Sequence, residues 1–338
     1  MNPADSLKVR RPDVIGLRFR RFRGPEDYPM MHAVTTACKN AAGIEYADSL
    51  ADIARYYAHL VNCDPVQDMI FAEVEGQVVG YGRVWWEREG EGRYLYQQFV
   101  HILPDWQGQG IRRAMLRHNE RRIAEIAAGH EAAIPKFIQV WVEQGDTDWQ
   151  QLVEEEGYTP ERYFFEMVRP HLDAIPDLPL PAGLEVRRVP PECYYRVWKT
   201  AEEAFQDHWG ATDWHDTWFE GWQKEPTFQP HLWQVAWDGD EIAGMVLNFI
   251  DEAQNEKYAR QRGYTETICV RRPWRRRGLA RALIARSLRV LKEAGMTEAA
   301  LGVDADNQSR ALRLYEEMGF RTIRQNTVYY KPLPQEAQ

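Results

Sequence analysis

Two stretches of this chain hold residues whose types and spacing suit chemistry beside a polyanion. From Glu266 to Arg286 a β-branched run, Thr267 to Val270, stops at Pro273, passes Arg275-Arg276-Arg277-Gly278, and enters an amphipathic segment with Leu279, Leu283 and Ile284 on one face. A turn rich in backbone donors and cations at a helix start is a ready site for a pyrophosphate-like group. Gly278 and Ala280 leave room there for phosphate to approach the backbone closely. Further on, Asn307-Gln308-Ser309-Arg310 leads into a helical segment with Leu314-Tyr315 near its end and Gly319-Phe320 as its stop. Tyr315 is a phenol with a reference pKa of about 10, able to protonate a leaving group of similar basicity. Strand parity puts Glu266 on one face with Ile268 and Val270, an unusual place for a charge in a plain core.

Each of these residues also has a plainer reading. Arg271, Arg272, Arg275, Arg276, Arg277, Arg281 and Arg286 could form a solvated or nucleic-acid-binding face, but a net charge of −9 and a pI near 5.6 argue against binding through an overall basic field. Tyr315 could simply pack on its helix beside Leu314 and Met318, and Glu266 could be an exposed residue at a strand start. A second polar group, Asp207-His208-Trp209, suits contact with an acceptor amine, Trp209 walling the pocket; equally, Asp207 could cap a helix and His208 be structural. The cysteines Cys38, Cys63, Cys193 and Cys269 are widely spaced, with no C-x-x-C pair for a metal or redox site, so no metal is expected.

The elements that must position these groups come twice. Leu17 to Phe22 alternates as a strand, helical patterns follow to about Val61, and Met69–Val74 with Gln77–Trp86 reads as a hairpin around Glu75-Gly76. A strand over Tyr94 to Leu103 meets Pro104-Asp105-Trp106-Gln107-Gly108-Gln109-Gly110 and a helix with Met115 and Leu116; strand, short helix and strand follow to Val168. The run Arg169 to Gly183 carries four prolines and reads as a linker, placing the boundary near residue 175. The second half repeats this order, from Leu184 to Tyr330. Gly110 and Gly278 lie 168 residues apart, and Gly157 and Gly319 lie 162 apart. The expectation is two copies of one mixed α/β domain, over 1–175 and 176–338, each a central mixed sheet flanked by helices.

The second half resembles the GNAT superfamily of acyl-CoA-dependent N-acetyltransferases. Its pyrophosphate motif, Q/R-x-x-G-x-G/A, stands here as Arg275-Arg276-Arg277-Gly278-Leu279-Ala280, and its second motif as Asn307 to Phe320. The resemblance implies acetyl-CoA as co-substrate, with backbone N–H groups from about Arg276 to Arg281 around the pyrophosphate. Arg275 or Arg276 would add a charge-assisted contact. Cys269, Val270, Arg277, Leu279, Asn307 and Tyr315 would complete the coenzyme site. It also implies Tyr315 as general acid, Glu266 as base directly or through water, and an oxyanion donor from backbone near Val270.

The first half resembles the same superfamily but departs from its motifs. Arg112 stands where Gly or Ala is wanted, and Val153 stands where the tyrosine belongs. A tandem chain with a degenerate first unit is similar in organisation to the mycothiol synthase group, which implies N-acetylation of a small amine, an amino-sugar or cysteinyl conjugate among the candidates. The rival expectations are a non-catalytic acyl-CoA-binding module and acetylation of protein or peptide amines. A cytoplasmic monomer or homodimer is expected, with no nucleic-acid partner and no membrane segment, since nowhere do 18 apolar residues run together.

Overall fold

The computed structural model describes residues 7, 9, 12–90, 92–305 and 311–334. Chain contacts divide the protein into two compact units, residues 1–162 with 326–338, and residues 163–325. In chain order the first part supplies β1 (Leu17–Arg20), α1 (Tyr28–Ala41), α2 (Leu50–Tyr57), α3 (Pro65–Asp68), β2 (Met69–Val74), β3 (Gln77–Arg88), β4 (Tyr94–Ile102), α4 (Ile111–Ala127), β5 (Lys136–Glu143), α5 (Thr147–Glu155) and β6 (Thr159–Arg169). The second supplies β7 (Glu185–Val186), α6 (Tyr194–Phe205), α7 (Asp216–Trp222), β8 (Gln234–Asp238), β9 (Glu241–Ile250), α8 (Glu252–Lys257), β10 (Arg262–Val270), α9 (Leu279–Glu293), β11 (Glu298–Asp304), α10 (Ala311–Glu317) and β12 (Arg321–Pro332).

Within the first unit β1 to β5 pair in order, antiparallel except for β4 with β5, and residues 326–332 of β12 add antiparallel to β5. The second unit repeats the plan from β7 to β11, with β10 and β11 parallel, and residues 164–169 of β6 add antiparallel to β11. Each unit thus takes its last strand from the other half of the sequence. That exchange moves the expected boundary near 175 to Arg162/Tyr163 and Gln325/Asn326, because backbone pairing, not the proline-rich run, decides where each strand belongs. Local patterns cannot show it, because pairing partners are set by segments distant in sequence.

Each sheet is covered on both faces. In the second unit α9 puts Leu279, Leu283, Ile284, Leu288 and Leu291 against β9 to β11, while α6 contributes Val197, Ala201 and Ala204 to the opposite face. The first unit does the same with α4 on one face and α1 with α2 on the other. No described helix is long and apolar enough to cross a membrane.

Candidate active site

A cleft of about 1050 Å³ opens in the second unit between the end of β10, the turn before α9, the start of α9, α10, and the end of α6. It is lined by Asp207, His208, Cys269, Val270, Arg275, Arg276, Gly278, Leu279, Ala280, Arg281 and Tyr315, which the sequence had nominated from segments far apart, and by Ile268, Arg313 and Glu317, which it had not. Arg277 and Glu266 are not among its lining residues; Arg277 follows the left-handed Arg276 and is exposed. Asn307 lies outside the described residues.

The anion-binding character of the turn comes from its backbone. β10 gives way to a single 3-10 turn, Arg272–Trp274, started by Pro273. Arg276 then takes φ +61 and Gly278 φ +84, which reverses the chain into α9. Gly278 is therefore required by its conformation and not by protein contacts: a Cβ built on it meets nothing within 4 Å. No side chain caps α9, so the N–H groups of Leu279, Ala280 and Arg281 face the cleft end of a 15-residue helix whose dipole favours an anion.

The arginines there do not all offer charge. Arg275 is committed: Nε donates to the Val270 carbonyl at 2.9 Å, Nη1 to Asp207 at 2.7 Å and Nη2 to the Ala204 carbonyl at 3.5 Å. Arg281 and Arg313 both pair with Glu317. Arg276 has no polar partner among the described residues, which singles it out of the expected pair as the cation for a phosphate.

Strand parity does not carry through β10. Its register with β9 shifts by one residue between Glu266 and Cys269, with Thr267 at φ +49, so Ile268, Cys269 and Val270 all reach the cleft. Pairing with β11 stops at Tyr264, and the strands part beyond it. The irregularity that could free a backbone donor sits at Thr267, three residues before Val270. Glu266 is neither a plain core residue nor an exposed strand start. It reaches solvent along part of its length, yet protein crowds the carboxyl so closely that burial pushes it up to about 7. One donor, the Gly302 N–H at 3.1 Å, opposes that rise. Gly302 had no individual signal in the sequence. Tyr315 is buried, edge-on to Phe320, and its hydroxyl has no protein partner among the described residues. Burial, then the nearby Glu266 and Cys269, push the phenol up, so it stays protonated throughout neutral pH. If Glu266 must be ionised to work, kcat/KM rises with pH through a midpoint near 7, and Glu266→Gln flattens that limb; a pH profile of both proteins checks this.

Asp207 is neither a helix cap nor a free acceptor contact. α6 ends at Phe205, and the Asp207 carboxylate accepts from Arg272 Nε at 3.0 Å, from Arg272 Nη2, and from Arg275 at 2.7 Å. Those two guanidinium groups hold it well below the usual carboxylate range. It ties the end of α6 to the coenzyme-side turn. Asp207→Asn should therefore raise the KM for acetyl-CoA by about two- to fivefold and leave the acceptor KM near wild type, as steady-state kinetics with each substrate varied will show. His208 does line the cleft, its ring 4.5 Å from Phe205, and burial pulls it below the ordinary imidazole value, leaving it neutral at pH 7.

The first unit keeps an uncapped helix start, with Gly110 at φ +80, but departs from the rest of this site. Arg112, 168 positions before Ala280, turns inward: Nε donates to the Val100 carbonyl at 2.9 Å, and its η nitrogens bind Asp146 at 2.8 and 2.9 Å and Asp148 at 2.9 Å over the Trp149 ring. Gln98 stands 168 positions before Glu266 and is buried, bonded to Tyr158 at 2.6 Å. Val153, 162 positions before Tyr315, is fully buried. β3 and β4 pair without a register shift, so the β10 irregularity has no counterpart. Asp146→Ala should cost the fold about 2–3 kcal/mol in urea denaturation, since it leaves Arg112 with Asp148 alone and removes the cap bond to the Trp149 N–H at 3.1 Å.

The chain is similar to known proteins. A model of the acetyltransferase (GNAT) family matches residues 191–320, and one of the acetyltransferase (GNAT) domain matches residues 66–160. The mycothiol acetyltransferase of Geodermatophilus obscurus is 26% identical over 257 residues, covering 75% of this chain and 79% of its own length. The crystal structure of a GCN5-related N-acetyltransferase from Sphaerobacter thermophilus superposes with a TM-score of 0.72 at 26% identity, over 95% of this chain and 96% of that one. A tandem GNAT protein from the clavulanic acid biosynthesis pathway shares the fold, with a TM-score of 0.64 at 15% identity over 95% and 99% of the two chains. The chain belongs to the GNAT family of acetyltransferases and carries two of its domains in tandem.

Proposed function

We propose that the second unit transfers the acetyl group of acetyl-CoA to the primary amine of a small molecule. The observation that carries this reading is the meeting, in one cleft, of an uncapped helix start with Arg276, Tyr315, and a strand irregularity one residue after Glu266. The N–H groups of Leu279 to Arg281 and the Arg276 guanidinium hold the pyrophosphate, and Gly278 and Ala280 leave it room. Acetyl-CoA supplies the thioester carbonyl. Glu266, directly or through water, takes the amine proton, backbone beside Thr267 steadies the oxyanion, and Tyr315 returns a proton to the departing sulfur. His208, neutral and at the cleft wall, is the acceptor-side contact.

Likeness to proteins named mycothiol acetyltransferase supports a small acceptor, with amino-sugar and cysteinyl conjugates the first to try. The free cysteines and the coenzyme point to the cytoplasm. Thiol release from acetyl-CoA, measured with a panel of small amines and with peptides, tests the reading. Turnover with small amines and not with peptides supports it, whereas coenzyme binding without any turnover would make the protein a binding module.

A further inference from the structure

Arg83, in the middle of β3 in the first unit, is 3% exposed and has no carboxylate against it. Among the described residues its only polar contact is Nη2 to the Tyr56 hydroxyl at 2.7 Å, and Nε and Nη1 are buried without an acceptor. Four rings surround the guanidinium carbon: Trp85 at 4.8 Å, Tyr56 at 4.9 Å, Tyr57 at 5.2 Å and Phe99 at 5.5 Å. The nearby groups that could carry negative charge are Tyr57, Tyr56 and Cys63; burial pushes Tyr57 up and the Cys63 thiol up to about 12, so both stay neutral. A buried cation without a partner is costly, and ring faces offset only part of that.

From this we infer that Arg83 and its aromatic cage form a binding site for a small aryl or alkyl monocarboxylate in the first unit. One guanidinium is neutralised by one negative charge, and a dianion such as phosphate would leave a net charge buried and would shed more water. The ring faces suit a flat carboxylate with an apolar substituent. Tyr56 is the entrance: it is 56% exposed, lies at the end of α2, and its hydroxyl occupies the donor an incoming carboxylate would claim. The site is separate from the cleft of the second unit, so the first unit, having lost the coenzyme machinery, keeps an anion site of its own.

Calorimetric titration of the full-length chain tests this with three probes: benzoate, benzamide of the same shape without charge, and inorganic phosphate. Benzoate should bind one per chain, with benzamide and phosphate at least about tenfold weaker. Arg83→Met should abolish benzoate binding and leave acetyl-CoA affinity unchanged, since a buried ion replaced by a hydrophobe often keeps the fold. No benzoate heat at millimolar concentration, or binding that survives in R83M, overturns the proposal; phosphate binding tighter than benzoate overturns the carboxylate assignment. Should R83M not fold, Tyr56→Phe decides: loss of the competing hydroxyl should tighten benzoate binding by about threefold or more, and an unchanged affinity counts against the site.

Discussion

Replacing Tyr315 by Phe should lower kcat by about 10²-fold or more while the Kd for acetyl-CoA stays near wild type. The physical basis is the position of one hydroxyl. It lines the cleft, has no protein partner among the described residues, and is kept protonated by burial and by the proximity of Glu266. Because no bond is broken, Tyr315→Phe strands no polar group and should shift stability by less than about 1 kcal/mol. Single-turnover kinetics with a coenzyme-binding assay separates the chemical step from affinity. Unchanged kcat would leave Tyr315 a packing residue against Phe320, and another group would have to protonate the leaving sulfur.

Converting the second unit toward the first should have the largest effect on coenzyme binding. Ala280→Arg places in the second unit the residue type that the first has at Arg112. In the first unit that side chain is received by Asp146, Asp148 and the Val100 carbonyl. Among the described residues lining the cleft, both carboxylates are already engaged, Glu317 by Arg281 and Arg313 and Asp207 by Arg272 and Arg275. The A280R side chain must therefore stand in the space beside the free N–H groups of α9. Acetyl-CoA affinity should fall by about 10²-fold or more, equivalent to about 3 kcal/mol, while Ala280→Gly should retain it. Retained binding in A280R would mean that Ala280 is not part of the pyrophosphate cradle.

The two results together would assign the chemistry to the second unit. Each difference in the first unit acts on a separate requirement: Arg112 on space for the coenzyme, Val153 on the proton donor, Gln98 on the base, and the regular β3–β4 register on a free backbone donor.

Much of this was legible in the residues alone. The duplication, the strand–turn–helix at Glu266 to Arg286, the helix carrying Tyr315 and the departures at Arg112 and Val153 are local patterns of period, turn chemistry and residue type, and local backbone preference determines them. What the tertiary structure decided depends on partners distant in sequence. The exchange of β6 and β12 between units is a matter of pairing that a strand's own alternation leaves open. Which arginine is left for phosphate depends on where Asp207 and Glu317 lie, so Arg276 and not Arg275 emerged only in three dimensions. The raised pKa of Glu266 comes from burial, which the single donor Gly302 N–H opposes, and the register slip at Thr267 from the mismatch of β10 with β9. Motifs select the residue types for a site; packing sets their charge states and their reach.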